Sequence, residues 1–158
     1  MATIHLPPDF KEFLKLLNAH QVEYLLIGGY AVGYHGYPRA TVDMDIWIAM
    51  HPANAERTVA VLKEFGFDLP ELSPELFLKE WQIIRLGVPP VRIELATTVS
   101  GVNFSECYAE RVEDVLDDVK VNLISLKYLK INKKACGRHR DLADLENLPS
   151  RHLEFSLS

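Results

Sequence analysis

Two short stretches decide how this chain reads: Leu26-Ile27-Gly28-Gly29, and Arg39-Ala40-Thr41-Val42-Asp43-Met44-Asp45-Ile46-Trp47-Ile48. The first is the end of a compact apolar run, Val22 to Ile27, closed by two glycines. It predicts a buried strand leading into a short helix, Gly29 to His35. The second places two aspartates two residues apart at the start of an apolar strand, expected over Ile46 to Met50. Side chains alternate along a strand, so both carboxylates share one face while Met44 and Ile46 anchor the other. Two carboxylates this close repel unless a cation lies between them.

A third acid is sought on a neighbouring strand. Val91-Arg92-Ile93-Glu94-Leu95-Ala96 offers Glu94 inside an apolar run, where a carboxylate is costly unless paired or liganded. Hard oxygen donors suit Mg²⁺, and three carboxylates on adjacent strands can hold two ions for phosphoryl chemistry. Glycines without side chains let a triphosphate approach backbone N–H groups and the positive end of a helix. Arg39, four residues before Asp43, is placed to contact the same phosphates.

Apolar residue, Gly28-Gly29, one helix, then Asp43-x-Asp45-apolar is a pattern that resembles the nucleotidyltransferase superfamily, with the fold of the catalytic domain of DNA polymerase β. The Arg39-x-Thr41-x-Asp43-x-Asp45 string resembles a small bacterial and archaeal branch that includes minimal nucleotidyltransferases and toxin–antitoxin components. So does the close of the chain, from Ile124-Ser125-Leu126 to Gly137-Arg138-His139-Arg140-Asp141-Leu142-x-Asp144-Leu145. The resemblance implies an α/β (α+β) fold with a mixed sheet flanked by helices. It implies catalytic and metal-binding roles for Asp43, Asp45 and Glu94, and contact with a nucleoside triphosphate at Gly28 and Gly29. Glu94 stands where many relatives carry Asp. Arg39 and Thr41 are counted with the nucleotide-binding residues, as are Lys130 and Lys134. The expected activity is Mg²⁺-dependent transfer of a nucleoside monophosphate from an NTP to an acceptor hydroxyl on a small molecule, protein or RNA. The alternative is a non-catalytic binding module that acts through a protein or RNA partner.

The rest of the chain sets the frame. Its 158 residues, 48% hydrophobic and 25% charged, suit one domain, expected over residues 1–149 with a loose tail over 150–158. No apolar run approaches the roughly 20 residues of a membrane span. The start of the chain lacks the features of a secretory signal, and the two cysteines, Cys107 and Cys136, make no disulfide framework. The expectation is a cytoplasmic protein. Of 17 basic residues, seven lie between Lys120 and Arg140, a stretch free of Asp and Glu. That asymmetry points either to an anionic partner or to a solvated helix face.

Helices are expected over Asp9 to Ala19 with Asp9 as its cap, Asn54 to Phe65, Ser125 to about Cys136, and Arg138 to Leu148. A hairpin is expected from Trp81 to Ala96 across Gly87-Val88-Pro89-Pro90, and a strand over Val119 to Ile124. Phe67 to Leu76 carries no clear pattern, and Glu106 to Leu116 reads as helical or irregular. Lys127, Lys130 and Lys134 fall on one helical stripe that suits either phosphate binding or a helix C-terminus. Arg138 with Asp141 and Arg140 with Asp144 have the spacing of helical ion pairs. Tyr30, Tyr34, His35 and Tyr37 read as core or rim packing before base stacking. Trp47 and Trp81 read as sheet packing. Cys136 and His139 lack the second pair a zinc site needs.

Overall fold

The computed structural model describes residues 4–149; the expected tail, residues 150–158, lies outside them. The first helix, α1 (Pro8–Ala19), buries Phe10, Phe13, Leu14 and Leu17 along one stripe. Pro7 is its N-cap, and Asp9 sits in the first turn without a capping hydrogen bond. The reason is geometric: Pro8, which needs no N–H partner, already fills the first helical position.

Strand β1 (Tyr24–Ile27) runs directly into α2 (Gly28–Tyr34). Then come β2 (Asp43–Ile48) and α3 (Pro52–Phe65), the latter ended by Gly66 in a left-handed conformation. A 3₁₀ turn (Pro74–Leu78) occupies the segment without a clear pattern and buries Phe77. The hairpin forms as expected, β3 (Ile83–Val88) antiparallel to β4 (Val91–Ala96). Glu106 to Leu116 is neither wholly helical nor irregular. It divides into α4 (Phe104–Ala109) and an edge strand β5 (Val112–Leu116). Glu113, Asp114 and Val115 are all exposed in β5, so no apolar alternation marked the strand. The chain closes with β6 (Val119–Leu123), α5 (Leu126–Cys136) and α6 (His139–Asn147).

The six strands form one mixed sheet in the order β3-β4-β2-β1-β6-β5. Both β1–β6 and β2–β4 are parallel, and the remaining pairs are antiparallel. Alternation in β2 divides its residues between two layers. Met44, Ile46 and Ile48 join a core with α1 and α3. Trp47 joins a second core with Ala31, Val32, Cys107, Leu129 and Leu148. The fold is therefore the expected mixed sheet flanked by helices. No helix among the described residues is long and apolar enough to cross a membrane.

One buried polar group stitches the sheet end to α3. Asn54 is fully buried, accepts from the Glu23 N–H at 2.7 Å, and donates to the carbonyls of Glu23 (3.1 Å) and Ala49 (2.9 Å). Replacing Asn54 with Ala strands these backbone groups in a dry site, at roughly 1–3 kcal/mol for a buried group left without a partner. Urea unfolding of Asn54→Ala is expected to show a loss of about 2–4 kcal/mol. A midpoint equal to the parent's would refute this role.

Candidate functional site

The two aspartates stand where strand geometry puts them. In β2, Asp43 and Asp45 are half-buried on the same face as Trp47, while Met44 and Ile46 are fully buried on the other. The parallel register with β4 sets Asp43 opposite Arg92 and Asp45 opposite Glu94. A residue at the matched position of a neighbouring strand shares the face, so Glu94 joins the pair. The Glu94 carboxyl hydrogen-bonds that of Asp45. Burial, this hydrogen bond and the charges of Glu94 and Asp43 together push the Asp45 carboxyl up to about 7, against a smaller opposing pull from Lys133.

Asp43 has a different partner. The Arg92 guanidinium donates to both of its oxygens at 3.0 Å and reaches Glu94 at 3.6 Å. Arg85 donates to Glu94 Oε1 at 2.9 Å. The three acids thus line one wall, but Arg92 stands between two of them. Among the described residues no set of three or more His, Cys, Asp or Glu side chains is gathered as a metal cluster. Cys136 and His139 accordingly form no such cluster.

The glycines explain themselves at this wall. Gly28 has φ +68° and follows β1 directly; a β-carbon on it would lie 2.2 Å from Asp45 Oδ2. A β-carbon on Gly29 would lie 2.7 Å from Thr41 Oγ1 and 3.4 Å from Arg39 Nη1. Bare backbone therefore sits against the carboxylate on one side and against Thr41 and Arg39 on the other. Together these residues line a cavity of about 500 Å³.

The far wall comes from α5 and α6. Lys133 is buried and bonds Asp141 and Asp144, each at 3.0 Å. Arg138 binds Asp141 at 2.6 Å, and Arg39 forks onto Asp144 at 2.7 and 2.9 Å. Burial alone raises both carboxyls. Arg138 and Lys133 outweigh it at Asp141, as Arg39 and Lys133 do at Asp144, and hold both below the ordinary carboxylate range.

Several expectations change in consequence. Arg39, expected at the phosphates, lies beside Gly29 with its fork engaged by Asp144. Asp144 pairs with Arg39 and Lys133, not with Arg140. Lys130 and Lys134 do not line the cavity, whereas Lys133 does. Lys130 Nζ instead donates to the Pro149 carbonyl at 2.6 Å. Lys133 lies inside the helix interface, one residue off the exposed stripe. Asp141 and Asp144, eight and eleven residues after Lys133, are the available signal. Part of the basic segment's charge is therefore neutralised internally. The aromatic cluster packs: Tyr30 lies edge-on to Phe10, Tyr34 donates to Asp114, and His35 meets the Ile124 carbonyl. Trp47 packs under the sheet and donates to the Thr97 carbonyl. Trp81, in contrast, is 62% exposed and is not sheet packing.

Two outcomes follow from this electrostatic arrangement. The folded Asp45 carboxyl holds its proton more tightly than the unfolded one, so stability is greatest below the unfolded value near 4. It is lost as pH rises toward about 7. Asp45→Asn removes that loss. In metal-free buffer the stability of the variant minus that of the parent should grow between pH 4 and 8, by a total on the order of a few kcal/mol. A difference that is flat with pH contradicts the assignment. For the far wall, Lys133→Met leaves two buried carboxylates short of a partner and should cost about 3 kcal/mol in chemical unfolding. A loss under about 1 kcal/mol would show that Arg39 and Arg138 suffice.

Compared with known proteins, the sequence matches no family profile and no curated protein significantly. Its structure does have counterparts. It superposes on the crystal structure of a "putative nucleotidyltransferase" from Thermotoga maritima with a TM-score of 0.59 at 15% identity, covering 87% of this chain and 88% of the other. It also matches an antigenic nucleotidyltransferase-like protein from Paracoccidioides brasiliensis, with a TM-score of 0.51 at 16% identity, over 87% of this chain and 71% of that one. At such identities the likeness is one of backbone architecture: the chain has the nucleotidyltransferase fold.

Proposed function

We propose that the cavity binds a nucleoside triphosphate with Mg²⁺ and transfers its nucleoside monophosphate to an acceptor hydroxyl. One observation carries this reading. The positive-φ Gly28 rests its backbone directly on the Asp45 carboxylate, so a glycine turn and an acid pair line the same cavity. The donor set suits a hard divalent cation. Asp45 and Glu94 press two carboxyls together at the cost of holding a proton, and a cation relieves that repulsion. Asp45 and Glu94 would hold the metal, with Asp43 the next carboxylate on the same face. When bound, Mg²⁺ neutralises developing phosphate charge.

The chain's own groups supply the rest. Gly28 and Gly29 line the cavity together with Thr41 and Arg39, where phosphate oxygens would meet backbone N–H groups. Lys133, held between Asp141 and Asp144, lines the opposite wall. Glu94, facing the cavity, accepts the proton of the acceptor hydroxyl as its oxygen attacks the α-phosphorus. The bond from that phosphorus to the pyrophosphate oxygen breaks, and pyrophosphate leaves. Holding these groups in place is the main contribution to rate.

A second reading has its own support. Arg92 grips both oxygens of Asp43, and the Asp45 carboxyl is raised to about 7 beside Glu94, so the acid wall is compensated by the chain's own groups. That favours a binding module acting through a partner protein or RNA, as in a toxin–antitoxin pair. Isothermal calorimetry separates the two. NTP is expected to bind the parent with Mg²⁺ and to lose at least tenfold in affinity, about 1.4 kcal/mol, when the metal is chelated or when Asp45 is replaced by Asn. Equal affinity in all three conditions would favour the binding module.

A further inference from the structure

The cavity has a side that the nucleotide reading leaves unused. Sheet order places β1 on one flank of β2 and β4 then β3 on the other. The glycine turn, Thr41 and Arg39 lie on the β1 flank. Across Glu94, on the sheet edge, Arg85 stands opposite Glu94 and Ile83 opposite Ala96. The pairing continues past the end of β3: the Trp81 N–H donates to Thr98 Oγ1 at 3.0 Å, and Gln82 pairs with Thr97. Arg85 and Ile83 alternate along β3 and Trp81 follows just beyond its start; all three line the cavity as one row.

That row is unusual in exposure and backbone. Trp81 is 62% exposed and Ile83 54% exposed, although both line the cavity. Trp81 also has φ +59°, a left-handed conformation that bulky residues rarely adopt. Packing does not require an indole there, since little covers it. Strained backbone at a cavity mouth is a feature of sites under functional constraint. Arg85 is 56% exposed and spends its Nε on Glu94. Arg138 and Arg140 are exposed on the rim of the same cavity.

An open aromatic face with separate guanidinium groups beside it is the combination that binds single-stranded nucleic acid, bases by stacking and backbone by charge. We propose that Trp81 and Ile83 form a stacking platform for the terminal base of a single-stranded nucleic acid, with Arg85 beside its backbone, so that its 3′ hydroxyl reaches Glu94 as the acceptor. This rests on the transfer reading above and names its acceptor. The hydroxyl oxygen forms the new bond to the α-phosphorus, its proton passes to the Glu94 carboxylate, and pyrophosphate leaves with the electrons of the broken bond.

The test uses the full chain and two separate titrations. Fluorescence anisotropy follows a labelled 12-nucleotide single-stranded RNA, with the DNA of the same sequence as a second arm. Calorimetry follows NTP with Mg²⁺. Trp81→Ala is expected to weaken oligonucleotide binding about 5- to 150-fold, the ratio equivalent to stacking one base, and Trp81→Phe to recover most of it. NTP affinity should stay within about twofold in both variants. Trp81→Gly, which suits the left-handed backbone, should melt no lower than the parent while losing the oligonucleotide. Failure of the parent to bind either strand overturns the proposal. So does a Trp81→Ala protein that loses NTP but keeps the oligonucleotide, which would make the indole a seat for the nucleotide's own base. Oligonucleotide binding in a parent that binds no NTP overturns the transfer reading itself and removes the acceptor role with it.

Discussion

A carboxylate oxygen of Asp45 occupies almost the place where any side chain at position 28 would begin. That contact couples three elements. It requires glycine at the end of β1, it fixes how closely α2 approaches β2, and it buries the carboxylate beside Glu94. The antiparallel pairing of β1 with β2 sets Ile27 opposite Asp45, and the parallel pairing of β2 with β4 sets Glu94 on the other side. Two hydrogen-bonding registers therefore meet at one acid, and a one-residue slip in either would turn it into the opposite core.

The second constraint is charge burial at the end of the chain. Asp141 and Asp144 are buried almost completely, which is tolerable only with close cations. Lys133 supplies one from α5, Arg138 one from the junction, and Arg39 one from the loop before β2. The last of these reaches Asp144 from beside Gly29. It ties the loop carrying Thr41 to the final helix, so the C-terminal helices and the glycine turn are held as facing walls. The positive stretch from Lys120 to Arg140 thus reads in part as internal structure: Lys133 and Arg138 pair with acids that follow shortly after, and Lys127 lies 3.9 Å from Glu110.

What could be read in advance follows from how local each signal is. The helices carried an apolar stripe and a stop, as with Gly66 and Gly137, both of which adopt the left-handed conformation expected of them. The alternation of Asp43 and Asp45 against Met44 and Ile46 assigned the faces of β2 before any partner strand was known. Strand β5 gave no such signal, because an edge strand with Glu113 and Asp114 outward looks like a loop. The pairing of Arg39 with Asp144, 105 residues apart, has no local trace. Nor does the position of Arg92, which a strand pattern places beside Glu94 without revealing that it grips Asp43. Trp81 was read as packing because most tryptophans pack; its exposure depends on a backbone turn that composition does not encode.

The acid wall is balanced in a way that bears on its use. The repulsion among Asp43, Asp45 and Glu94 is met by the Arg92 guanidinium and by the raised Asp45 carboxyl. Both are exchangeable in principle: a proton by titration near neutrality, an arginine by rotation of a long side chain. Under the proposed function, a site so balanced need not be rebuilt to accept a cation, since each compensating charge would yield its place to the metal or a phosphate. Ligand binding would then stabilise the fold by mass action while removing the residual repulsion. Under the proposed function, the same wall pairs its own acids and still presents oxygen donors beside a bare glycine turn. The strained, open side of the cavity at Trp81 completes the contrast. The interior is compensated charge by charge, whereas the rim leaves an indole exposed among the described residues.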